Sequence, residues 1–100
     1  MKALEKLKIW VRSMAFVSKV YRLISDYPRS ELFGLTDQTR RAVCSVALNI
    51  SEGAGSGSKM EFRRFLMIAL RSGYEVVTAL RIGYNLGYLK KKDSTTQPQS

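Results

Sequence analysis

Residues 35–58 read LTDQTRRAVCSVALNISEGAGSGS, and the fold turns on this stretch. Plotted at 100° per residue, Val43, Val46, Ala47, Ile50 and Ala54 gather on one side. That is the i, i+3, i+4, i+7 spacing of a buried helix face. Arg41, Ser45, Leu48 and Glu52 fall opposite, with Asn49 at the margin. One apolar stripe is enough to dock a helix, so the second stripe is either solvated or a contact of its own. The helix is predicted over 36–53, with Thr36 as N-cap and Asp37 in the first turn, where the helix dipole favours an anion. Gly53, Gly55 and Gly57, with Ser56 and Ser58, read as a flexible helix–helix connection. They follow a helix and lack the G-x-x-x-x-G-K-[ST] order, which argues against a nucleotide-binding loop.

Downstream, Ser58-Lys59-Met60-Glu61 has the Ser and Glu of a capping box and opens a helix predicted over 58–86, stopped by Gly87. Phe62, Leu66, Ala69, Gly73, Val76, Leu80 and Tyr84 line one face. Phe65, Ile68, Ser72, Ala79, Gly83 and Leu86 widen it, which predicts a central helix or one with a second neighbour. Gly73 and Gly83 each cost roughly 1 kcal/mol of helix propensity; their lack of bulk predicts close approach of another helix. Arg63, Arg64, Arg71 and Arg81 occupy the remaining side, among Met67, Tyr74, Glu75 and Thr78.

Upstream, residues 4–26 predict a first helix. Leu7, Trp10, Met14, Val17, Tyr21 and Ile24 recur at the a and d positions of a bundle seam, with Lys8, Arg12, Lys19 and Arg22 opposite. Asp26-Tyr27-Pro28 stops it, since Pro28 disfavours helical geometry at Tyr27. Residues 27–35 are a loop that Leu32 and Phe33 are expected to tuck onto the bundle. After Leu89 the chain runs KKKDSTTQPQS, which has no apolar residue to bury and reads as a disordered tail over 90–100. The expectation is an all-α chain: one helical bundle domain over 1–89, then the tail, with no strand signal and no repeat.

Composition narrows the function. The chain has 100 residues, enough for one domain, and 45% are apolar, enough for a small core. Lys and Arg number 17 against 8 Asp and Glu, a net charge of +9. Such a balance favours a polyanionic partner, nucleic acid before an anionic membrane surface, the alternative being a basic soluble protein with no such partner. With no His and a single Cys, a His general base and Cys/His zinc sites are excluded. Cys44 flanks the apolar face of its helix and reads as a small core residue in a reducing cytosol. No apolar run approaches the ~20 residues of a membrane span, and the N-terminus lacks a signal-peptide pattern, so a cytoplasmic protein without a membrane contact is expected. Glu52, Glu61 and Glu75 are the carboxylates of the second and third helices that could act as acid or base. Glu61 is assigned to the cap and Glu52 can pair with an Arg. No catalytic, cofactor-binding or metal-ligating residue is therefore expected, and no enzyme.

The candidates for phosphate contact are Lys59, Arg63 and Arg64, at a helix start whose dipole end is positive, then Arg40, Arg71 and Arg81. Only Tyr74 and Tyr84 lie near third-helix basics, so phosphate contact without base stacking is expected. Arg41, Asn49 and Glu52, with Gly73 and Gly83, are candidates for a helix–helix or subunit contact. The over-wide apolar face of the third helix predicts an oligomer.

The segment YPRSELFGLTDQTRRAVCSVALNISEGAGSGSKMEFRRFLMIALRSGYEVVTALRIGYNLGYL, residues 27–89, resembles the four-helix-bundle family of 23S rRNA-intervening sequence proteins. The marks are Gly34-Leu35-Thr36, Gln38-x-Arg40-Arg41-Ala42, Asn49-Ile50-x-Glu52-Gly53, Glu61-Phe62-x-Arg64-Phe65-Leu66 and Leu86-Gly87-Tyr88-Leu89. The resemblance implies an antiparallel bundle of the four-helix type that assembles into a ring-like pentamer, encoded within or outside bacterial rRNA genes. It implies nucleic-acid (RNA or DNA) binding without catalysis. It also implies an alternative, an adaptor for an acidic protein such as a reverse transcriptase, as in the accessory proteins of diversity-generating retroelements. Family members continue past the LGYL segment into a fourth amphipathic helix. Here the polar tail stands in that place, so the fourth helix is expected to be missing or replaced, leaving the third short of a cover.

Overall fold

The computed structural model describes residues 1–89. Three helices follow one another: α1 (Ala3–Leu23), α2 (Leu35–Ala54) and α3 (Lys59–Asn85), with one 3-10 turn at Arg29–Glu31. Among the described residues there is no strand. The tail expected over 90–100, and with it the question of a fourth helix, lies outside the described residues.

The middle helix is α2, not α3. It packs along α3 most extensively and along α1 on its other flank, while α1 and α3 scarcely approach one another. Small side chains make this possible. Thr39, Ala42, Ala47 and Gly53 are buried along α2, and each keeps the helix thin enough for a neighbour on either side. The Ser45 and Ser72 hydroxyls bond across the α2–α3 seam at 2.8 Å. Where Gly53 meets α3, a Cβ would stand 2.8 Å from that of Phe65. Gly53 is thus a packing residue inside α2 as well as the beginning of its turn. The width of the α3 apolar surface does not make it central; it leaves an outer stripe uncovered.

The core is a cluster of Val20, Ile24, Tyr27, Ala42, Val43 and Val76, bordered by Phe16, Val17, Leu35, Val46, Leu80, Tyr88 and Leu89. It sits toward the end that carries the α1–α2 loop. On α1 the buried positions are Ser13 and Val20, followed by Ile24 at its C-cap. Of the expected seam, Ile24 is buried and Val17 packs against the core, whereas Leu7, Trp10, Met14 and Tyr21 are exposed. The helix is rolled by one position because it carries two overlapping apolar stripes. Ser13 disguises the buried one; its hydroxyl donates to the Trp10 carbonyl at 2.7 Å and so enters the interface satisfied.

The helix ends also differ from expectation. α1 stops at Leu23, three residues short of 26. Leu32 and Phe33 do not hold the loop down; Phe33 is 90% exposed. Tyr27 does. Its ring packs against Tyr88 with centroids 5.2 Å apart, and its phenol reaches the backbone of Gly83. α2 begins at Leu35 and has no cap from Thr36, which is buried inside the first turn. Glu31 caps it from a turn earlier, accepting the Leu35 N–H at 2.9 Å and the Tyr88 hydroxyl at 2.9 Å. Ser58 caps α3 by accepting the Glu61 N–H at 3.2 Å. The Glu61 carboxylate turns to Arg64 instead of closing the box. α3 ends in a Schellman turn: Gly87 has φ +85°, Tyr88 N–H reaches the Gly83 carbonyl at 2.9 Å and Gly87 N–H that of Tyr84 at 3.0 Å. The described chain is a slab of 43 × 32 × 16 Å, no deeper than about two packed helices.

Candidate nucleic-acid interface

Two antiparallel pairings, α1 on α2 and α2 on α3, bring the starts of α1 and α3 to the same end of the molecule. Lys6 comes from the first turn of α1, Lys59 and Arg63 from the first turns of α3. With Met1, Phe62 and Leu66 they line a groove of about 380 Å³. Lys6 Nζ lies 4.8 Å from the Phe62 ring centroid, a cation–π contact that pins an α1 side chain to α3. Phe62 itself is buried beneath it. No acidic residue lines the groove, and none of the three cations is ion-paired among the described residues. Three unneutralised cations over an apolar floor can hold an anionic backbone by its phosphates.

The other phosphate candidates are scattered. Arg64 donates to Glu61 Oε1 through NH2 at 2.9 Å and through Nε at 3.2 Å, and stacks 4.5 Å from the Phe65 centroid. Its charge is neutralised locally. Arg40 lies at the opposite end, 3.5 Å from Asp37, in a cavity of about 360 Å³ shared with Tyr21, Arg29 and Thr36. Arg71 is exposed midway along α3, and Arg81 lies 5.4 Å from the Tyr84 ring centroid.

The contact candidates also separate. Arg41 reaches Asp37 at 3.7 Å and is otherwise exposed. Asn49 donates to the Ser45 carbonyl at 2.8 Å and to its hydroxyl at 3.0 Å, joining the α2–α3 seam within the subunit. Glu52 is exposed and Leu48 beside it is 67% exposed. A Cβ at Gly73 would meet nothing within 4 Å, whereas the space over Gly83 is taken by Tyr27, a loop residue and not a helix. Among the described residues no three His, Cys, Asp or Glu side chains gather as a metal site, and no helix is long and apolar enough to cross a membrane.

Sequence reasoning missed Lys6. Its sign of importance was topological: two helix starts share an end only when both connections are antiparallel hairpins.

The chain matches the family model described as 23S rRNA-intervening sequence protein over residues 5–98. The match runs through all three helices and continues past Leu89. No curated protein matches the chain significantly.

Proposed function

The chain belongs to the 23S rRNA-intervening sequence protein family, and from that premise we propose that it is a non-enzymatic, cytoplasmic, oligomeric protein that holds RNA or DNA by its phosphates. The observation that carries this reading is the convergence of Lys6, Lys59 and Arg63 on one acid-free groove. The net charge of +9 supports it. Assembly into a ring-like pentamer is part of the proposal, because repetition turns weak phosphate contacts into avidity. Apolar residues left exposed on α1 away from Trp10 (Leu4, Val11) and on α3 (Met67, Leu70, Tyr74, Val77) support assembly. The test is fluorescence anisotropy with labelled RNA and DNA across a salt series, the oligomer being checked by light scattering. Lys6→Ala/Arg63→Ala weakens binding. For every phosphate left unneutralised, the log–log salt slope flattens by about 0.7 for single strands or 0.9 for duplex. An unchanged slope moves the site elsewhere on the molecule.

A second reading is an adaptor for an acidic protein such as a reverse transcriptase. What favours it is the outer stripe of α3, where Met67, Leu70 and Tyr74 stand exposed among Arg63, Arg71 and Arg81. Met, Tyr and Arg are enriched in protein interfaces. No affinity for nucleic acid at low salt selects this second reading.

A further inference from the structure

On its other side Lys6 lines a second groove. Ala3, Lys6, Leu7, Trp10, Ser51 and Ala54 line an open depression of about 450 Å³ between the start of α1 and the end of α2. Trp10, the sole Trp, is 38% exposed. It follows Lys6 by one helical turn, a spacing that sets the two Cβ atoms about 5–6 Å apart on one face. The facing wall is Ser51 and Ala54, two small side chains that leave the indole accessible. Because Lys6 lines both grooves, an aromatic surface and a cationic one adjoin at this end of the molecule. Among the described residues no acidic side chain lines either groove.

We infer that the nucleic acid held at this end is single-stranded, with a base stacked on Trp10 and the adjoining backbone on Lys6, Lys59 and Arg63. The inference rests on the phosphate-binding reading above and makes it specific. In a duplex the base faces are covered by their neighbours; only an unpaired base can offer its face to an indole. Each groove is large enough for a group of nucleotide size. Stacking accepts every base, because each has a π-face, so the site discriminates strandedness and not sequence. The expectation from the sequence, phosphate contact without stacking, is thereby changed at one residue: the aromatic partner is on α1 and not among the tyrosines of α3.

Trp10 emission in the full chain reports the contact directly. A mixed-sequence single-stranded oligonucleotide quenches it on binding, while the duplex of the same sequence does not, and the single strand binds about tenfold more tightly. Trp10→Ala lowers single-strand affinity about tenfold and leaves duplex affinity in place, whereas Trp10→Phe restores most of the loss. Anisotropy measured alongside separates the two ideas. If single strand and duplex bind equally with Trp10 unquenched, the stacking inference falls and phosphate binding stands. If neither binds at low salt, both fall. Equal loss for both strands in Trp10→Ala, or Trp10 emission that is blue-shifted and shielded from acrylamide in the free protein, assigns Trp10 to packing between copies and overturns the inference.

Discussion

Gly53, Gly73 and Gly83 all lie in packed helices but answer to different forces. A methyl group at Gly83 would run into the Tyr27 phenol, and one at Gly53 would meet Phe65 and Phe62. Overpacking of that kind costs about 1–3 kcal/mol, so Gly83→Ala lowers the melting temperature. At Gly73 a methyl group would meet nothing within 4 Å, and Gly73→Ala gains about 1 kcal/mol of helix propensity. A higher melting temperature with unchanged mass makes Gly73 a solvent-facing residue; a loss of assembly makes it a subunit contact. Glu31 is a second residue whose role no local pattern announces. The Leu35 N–H and then the Tyr88 hydroxyl hold its carboxyl below the usual glutamate range. Its native pKa lies below the unfolded value of about 4.3, so its stabilisation is present above that pH and fades as pH falls through the native pKa. Melting followed from neutral pH to about pH 3 therefore declines less steeply for Glu31→Gln than for the parent. An identical acid limb in both means the carboxylate does not brace the loop. Sequence pattern could find Ser58, whose cap is three residues from its partner, and could not find Glu31, whose second partner is Tyr88.

Helix existence was plain from periodicity, and helix rotation was not. On α1 the a/d series Leu7, Trp10, Met14, Val17, Tyr21 and Ile24 keeps only Val17 and Ile24 against the core, and Ser13 and Val20 are buried in place of the rest. Apolar content says which residues can be buried; which stripe faces inward depends on the shape of the neighbour. Here α2 offers small residues, and Val20 with a self-satisfied serine fits closer than Trp10 would. The two stripes are separable by mutation. Val20→Ala removes a fully buried side chain and costs about 2 kcal/mol. Met14→Ala costs under about 0.5 kcal/mol of the subunit's own stability. Equal losses in urea melts would restore the expected seam. The same roll explains why the candidate site was only partly legible. Lys59 and Arg63 stand at a helix start that their capping signature marks, but periodicity assigns Trp10 to the seam, and Lys6 gains its meaning only from Phe62 beneath it.

For the molecule as a whole, the all-α class follows from three amphipathic segments and the lack of strand signals, and the order of packing does not. Breadth of the apolar face singled out α3, whereas thinness places α2 in the middle. The slab that results is only 16 Å through its shortest dimension. A body so shallow has few positions remote from water; Val20, Val43 and Val76 are the largest apolar side chains fully enclosed. Its folding is then governed by mass action as much as by its own contacts. If copies cover one another's broad faces, unfolding and dissociation are one equilibrium, and dilution denatures. For a pentamer, each tenfold rise in concentration adds about 1 kcal/mol per subunit, which raises the melting temperature by about 4–8 °C for a chain of this size. Calorimetric scans across two decades of concentration read this directly. A melting temperature that does not move would mean that the slab stands alone.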